Sequence, residues 1–141
     1  MRQIRVGVCT SVLMFLLVSF AIGRGPSTSS SQFTEDKLSL IEENLIIGLT
    51  DNTRPILQAS AASVLRQVKS LAPEYSFSSS IIPLMAIVKD EKEYEPTRIL
   101  AALALHSLNS ERGEFAIKMT AKFTGQERLR KVLEALSSET Q

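Results

Sequence analysis

The sequence predicts an all-α protein, a stack of about three antiparallel helix pairs. Three observations carry this. Apolar residues recur at spacings of three and four through most of the chain from Phe33 to Leu136. No stretch alternates apolar and polar residues as a strand would. Punctuating residues (Asp51-Asn52-Thr53, Pro73, Asp90 to Glu93, Ser110 and Gly125) cut the periodic part into six segments.

The first stripe is Leu38, Ile41, Leu45 and Leu49, with Thr34 as its expected N-cap and Glu35 and Asp36 suiting the positive end of the helix dipole. Pro55 opens the second segment, as proline does in a first turn. Its stripe is Leu57, Ala61, Val64, Leu65 and Val68, and it ends before Pro73. The serine-rich interval 72–80 follows, in which Ser79 or Ser80 is expected to cap a third helix with Ile81, Leu84, Met85 and Val88 on one face. The fourth helix opens at Pro96 and is apolar nearly all round from Ile99 to Leu108, so it is expected at the centre of the assembly. Ser110 is the expected cap of the fifth, whose face is read as Phe115, Ala116, Met119 and Phe123. Thr124 and Glu127 match a capping box before a sixth carrying Leu129, Val132, Leu133 and Leu136. Residues 137–141 are expected to fray.

Ahead of the helices, Arg2 and Arg5 precede an apolar run from Val6 to Ile22, and Ala21 and Gly23 are small residues two apart. A basic start, an apolar run and a small-residue exit describe a secretory signal cleaved after Gly23. The alternative is an apolar helix retained as an inner-membrane anchor, in which case residues 6–22 are the only membrane contact. Both place the remainder outside the cytoplasm, in the periplasm or cell envelope. Lipid attachment at Cys9 is disfavoured, because that cysteine lies near the start of the run. The expected organisation is therefore a signal or anchor at 1–23, a flexible Gly-Pro-Ser-Thr linker at 24–33, a helical domain at 34–136 and a frayed end.

The chain has 141 residues, with 44% hydrophobic, 22% charged and a formal net charge of +1. That is a globular composition without the cationic excess that draws a protein to nucleic acid, and no nucleic-acid partner is expected. Loss of Arg2 and Arg5 with the signal makes the charge −1 and removes Cys9, the only cysteine. A thiol-free chain suits an oxidising compartment. One cysteine and one histidine cannot build a Cys/His zinc site, and no metal or other cofactor is expected.

Two sets of residues repeat. Leu45, Leu49 and Asp51 correspond to Leu84, Val88 and Asp90, and Ala61, Ala62, Leu65 and Val68 to Ala101, Ala102, Leu105 and Leu108. The paired alanines allow close helix approach, the leucines fill the space between pairs, and the aspartate ends the first helix. This pattern resembles the HEAT-repeat superfamily, especially short bacterial HEAT-like repeats. Ile82-Pro83-Leu84 through Asp90 resembles a first helix, and Thr97-Arg98-Ile99 through Leu105 a second. In the first pair Gln58 stands near the place where the family often has arginine, and the third pair lacks the double alanine and is shorter. The resemblance implies a short right-handed α-solenoid with no common chemistry. HEAT-like repeats occur in some bilin lyases, so the resemblance does not forbid catalysis. This chain lacks the cysteine and clustered acid/base groups such a role would use, and an accessory subunit of lyase-like HEAT type is the remote alternative.

Candidate catalytic groups do not assemble. His106 is the only histidine and is read as a packing or partly exposed residue. Adjacent Glu42 and Glu43 point about 100° apart on a helix and are read as a solvated surface. Asp90 to Glu95 lacks the ligand alternation and glycine of a calcium loop. Gly48, Gly113 and Gly125 form no phosphate cradle, and Ser76 to Ser80 no nucleophile elbow. Arg128, Arg130 and Lys131 are explained by pairing such as Glu127 with Lys131. The expected role is a non-catalytic scaffold holding a protein partner on the row of second helices, with Arg66, Lys69, Arg98, His106 and Arg128 as candidate contacts. Tyr75 and Phe77 are either folded onto the core or form an exposed contact point. Self-association through the open ends of the stack is the alternative role.

Overall fold

The computed structural model of the protein describes residues 33–139, so the expected signal or anchor and residues 24–32 of the expected linker lie outside the described part. Six α-helices follow one another: α1 (Glu35–Thr50), α2 (Pro55–Leu71), α3 (Ile81–Lys89), α4 (Glu95–Ser107), α5 (Glu111–Phe123) and α6 (Glu127–Glu139). A single 3₁₀ turn at Ser78–Ser80 leads into α3. There is no strand among the described residues. The last helix runs to Glu139, past the expected end at 136, with Ser137 Oγ donating to the Leu133 carbonyl at 2.9 Å.

The helices pack in consecutive twos: α1 on α2, α3 on α4, α5 on α6. Across these, α1 touches α3 and α3 touches α5, while α2 packs on α4 and α4 on α6. The α4 helix is therefore central, as its sequence required, and Ala101, Ala102, Ala104 and Leu105 are fully buried. Leu65, Leu84, Leu105, Leu129 and Leu133 are likewise 0% exposed and form the spine of one core. Burying each contributes about 1.5–3 kcal/mol against its exposed state.

The helix ends use different devices. Ser110 caps α5 as expected, accepting from the Gly113 N–H at 3.1 Å. Thr34 occupies the cap position of α1 with extended backbone but makes no side-chain bond there. The expected box at Thr124 and Glu127 does not form; α6 starts at Glu127, and the Thr124 hydroxyl accepts from the Gln126 N–H at 3.3 Å. Asn109, between α4 and α5, has φ 49°, a left-handed conformation that asparagine tolerates better than most residues.

The buried face of α5 differs from the expected one. It is Gly113, Ala116, Ile117, Thr120 and Ala121, while Phe115 and Phe123 are 63% and 73% exposed. The reason is close approach. A Cβ on Gly113 would lie 2.7 Å from Ser110 Oγ and 2.9 Å from Leu105 Cδ1. The helix therefore meets α4 with its smallest residues, and the aromatic stripe is turned away. Gly113→Ala is expected to cost about 1–3 kcal/mol by overpacking. Gly125→Ala, where an added Cβ meets nothing within 4 Å, is expected to be nearly neutral; urea unfolding of both variants checks the contrast.

Candidate functional site

Two places stand out as candidates, a polar knot with a cavity beside it and an open groove. The first lies where the 72–80 interval folds back over α1. Glu42 is 5% exposed, which corrects the expectation of a solvated Glu42-Glu43 surface; Glu43 alone is exposed. The Ser80 N–H and Oγ donate to Glu42 Oε1 at 3.0 and 3.2 Å, and the Tyr75 hydroxyl donates to Oε2 at 3.3 Å. Ser80, expected to cap α3, spends its side chain on this carboxylate instead.

Phe77 is buried at 2% exposure and meets the half-buried Tyr75 ring edge-on, with centroids 4.8 Å apart. Of the two expectations for these aromatics, packing on the core is the one realised. Burial, with the nearby Glu42 charge, pushes the Tyr75 hydroxyl above its ordinary value, against a lowering bond from Ser39. Lys69 Nζ ties the interval down, donating to the Pro73 and Tyr75 carbonyls at 2.6 and 2.9 Å. Two of the three donors of its ammonium are thus engaged within the fold.

A cavity of about 990 Å³ opens beside this knot, with Glu35, Glu43, Glu74, Ser39 and Tyr75 in its walls. Glu42 also lines it, but both carboxylate oxygens already accept hydrogen bonds, so it is not a free base.

Arg98 requires a second correction. Expected on an exposed helix row, it is 2% exposed. Its Nε and Nη2 donate to the Val88 carbonyl at 3.1 and 2.9 Å, and Nη1 donates to Gln126 Oε1 at 2.9 Å. Burial lowers the guanidinium's pKa, opposed by the charges of Glu91, Asp90 and Glu95. In α2, Gln58 does the same work: 1% exposed, it donates from Nε2 to the Leu49 carbonyl at 3.0 Å and to Asn52 Oδ1 at 3.1 Å. Those two acceptors fix the amide orientation and leave Gln58 Oε1 buried without a partner.

His106 is half-buried. Its Nδ1 lies 2.9 Å from Glu114 Oε1 and its Nε2 3.6 Å from Glu139 Oε2, so the ring ties α4 to α5 and α6. Of the expected contacts, Arg66 and Arg128 remain exposed. The basic residues near the C-terminus follow the local reading, with Lys131 Nζ 2.8 Å from Glu127 Oε1.

The second place is a groove between α2 and α4. Two adjoining depressions of about 360 and 350 Å³ share Ser63 and Leu100. Ile56 and Val64 of α2 and Leu100 and Leu103 of α4 supply apolar surface, Tyr94 stands at one end, and Arg66 borders the other. Ile56 is 83% and Tyr94 65% exposed. Sequence reading placed Val64 on the core stripe of α2 and Leu100 and Leu103 within the all-apolar α4, and it assigned Ile56 and Tyr94 to neither. The available signal was the set Ser60, Ser63, Gln67 and Ser70 between them, which marks that side of α2 as wet.

Among the described residues, no group of three or more His, Cys, Asp or Glu side chains is placed to hold a metal ion, and no helix is long and apolar enough to cross a membrane. No family model matches the chain, and neither a curated protein nor a solved structure matches it.

Proposed function

We propose that the chain is a non-catalytic scaffold of the cell envelope, a short HEAT-like stack that holds a protein partner in the groove along its second helices. The alternation of packing supports the stack: among first helices α1 meets α3 and α3 meets α5, and among second helices α2 meets α4 and α4 meets α6. Recurring local bonds support it further. Gln58 to the Leu49 carbonyl and Arg98 to the Val88 carbonyl occupy corresponding places in successive pairs. The turns recur as well, with Asp51 Oδ1 accepting from the Thr53 N–H and Asp90 Oδ1 from the Lys92 N–H.

The observation that carries the binding role is the groove, because apolar side chains lie open there beside hydroxyls and a cation. A site of that composition buries apolar area while its rim sets orientation. The export reading rests on Arg2, Arg5 and the run Val6 to Ile22.

Leu100→Arg places a charge on the groove floor while leaving the fully buried neighbours Ala101 and Ala102 in place. Crosslinked capture from envelope extract by the full chain is expected to yield one stoichiometric partner, reduced at least about tenfold by Leu100→Arg. Equal capture by the variant would assign binding to another face. A partner that Arg66→Glu alone abolishes would be held chiefly by charge.

A further inference from the structure

The first helix pair leaves one side bare. On α1, Leu38 and Leu49 are buried, and Leu40 and Ile47 lie about 200° and 180° round the helix from Leu38. They are 60% and 68% exposed. On α2, Leu57, Val64 and Leu71 repeat every seventh residue, with Ser60 and Gln67 between them. Val64 is 42% and Leu71 62% exposed, and the half-buried Leu57 sits beside the α1–α2 seam, where a Cβ on Gly48 would come within 3.7 Å of its Cγ. The two stripes thus adjoin along that seam. Helices α3 and α4 cover the inner sides of α1 and α2, and no helix among the described residues covers this outer side. At the other end of the molecule the exposed Phe115 and Phe123 of α5 are interleaved with the exposed Lys118 and Lys122, and α6 exposes Arg130, Lys131 and Glu134, so that surface is mixed with charge where the α1–α2 face is not.

We infer that this outer face of α1 and α2 is the contact of a two-fold symmetric homodimer. A second copy is the occupant the pattern fits, because both stripes read alike in either direction. Antiparallel pairing of α1 with its copy sets Leu40 against Ile47 of the partner subunit, with Asn44 facing Asn44 of the partner subunit. Antiparallel pairing of α2 centred on Val64 sets Leu57 against Leu71 of the partner subunit and Ser60 beside Gln67 of the partner subunit. One axis, lying in the interface and crossing both helices, generates both pairings at once, as an isologous contact requires. Leu40, Asn44, Ile47, Ser60, Val64, Gln67 and Leu71 are all uncharged, so self-pairing brings no like charges together. Val64, Ser60 and Gln67 also border the groove between α2 and α4, so the two contacts are told apart by variants on α1 and on α4, which they do not share.

The test uses the full chain in mild detergent, with Cys9→Ser so that an introduced cysteine stands alone. Sedimentation equilibrium is expected to give twice the chain mass, and the double variant Leu40→Glu, Ile47→Glu is expected to return it to the chain mass with unchanged helix content. Asn44→Cys is expected to form an intermolecular disulfide under mild oxidation, while Lys118→Cys stays a dimer without crosslinking. A monomeric parent chain overturns the inference. So does a dimer that survives the double variant, which would place the contact elsewhere, the segment before Phe33 included. A dimer in which Asn44→Cys does not crosslink overturns the stated symmetry.

Discussion

Arg98→Ala is expected to remove about 3–5 kcal/mol of stability, a large share of the total for a domain of this size. Three effects add. The Val88 carbonyl loses both of its guanidinium donors, and Gln126 Oε1 loses its partner in the turn before α6. Leaving buried acceptors unpaired costs about 1–3 kcal/mol each. The volume of the side chain, among the largest fully buried, becomes a void between α3, α4 and the α5–α6 turn. Relief from holding a cation with no carboxylate in ion-pair contact offsets part of this. Arg98→Gln is the informative companion. Gln58 shows that a glutamine at the corresponding place reaches the carbonyl of the preceding helix. The Gln variant is therefore expected to keep the bond to Val88, lose the one to Gln126, and cost less than half as much as Ala. Urea unfolding followed by far-UV circular dichroism measures both. Equal losses would mean that packing volume, and not the hydrogen bonds, is what Arg98 supplies.

Glu42→Ala is expected to cost about 2–4 kcal/mol and to loosen the 72–80 interval. The Ser80 N–H and Oγ, both fully buried, lose their acceptor, and the Tyr75 hydroxyl loses its own. Glu42→Gln retains one carbonyl oxygen toward Ser80 and is expected to lose about half as much. Glu43→Ala, on the exposed side of the same helix, is expected to change stability by less than about 0.5 kcal/mol. Hydrogen exchange adds a local readout. The Ser80 amide is expected to exchange faster in Glu42→Ala by more than the global loss explains, because the bond to Glu42 is the one removed. If its rate rises only with the global loss, the carboxylate does not hold the interval.

These two residues mark where sequence reading stopped. The number, order and approximate limits of the helices were legible because each stripe is local, and so were the Ser110 cap and the central place of α4. Glu42 was not, since nothing in Glu42-Glu43 says which of the two is buried. That depends on an interval more than thirty residues away lying down over α1. Arg98 looked like an exposed cation because arginine is rarely buried, and its acceptors are a backbone carbonyl and an amide that composition does not reveal. The α5 face was misread for a different reason. Phe115, Met119 and Phe123 have the spacing of a core stripe, but the closeness of Leu105 to Gly113 admits only small residues there. Apolar periodicity locates a helix face, and the distance to the neighbouring helix decides whether that face is filled by rings or by alanines. The groove is the same lesson seen from outside, since Leu100 and Leu103 are apolar and remain half-open.

Successive helix pairs are fastened by side chains as well as by apolar contact. Glu42 reaches Ser80, Thr97 Oγ1 donates to the Pro55 carbonyl at 3.4 Å, and Arg98 reaches Gln126. A linear array whose neighbours merely touch can fray from an end, one unit at a time. Here, melting either terminal pair also strands polar atoms inside the pair that remains. The boundary between folded and unfolded chain is costly wherever it is drawn, and the 33–139 region is expected to gain or lose its structure as one cooperative unit.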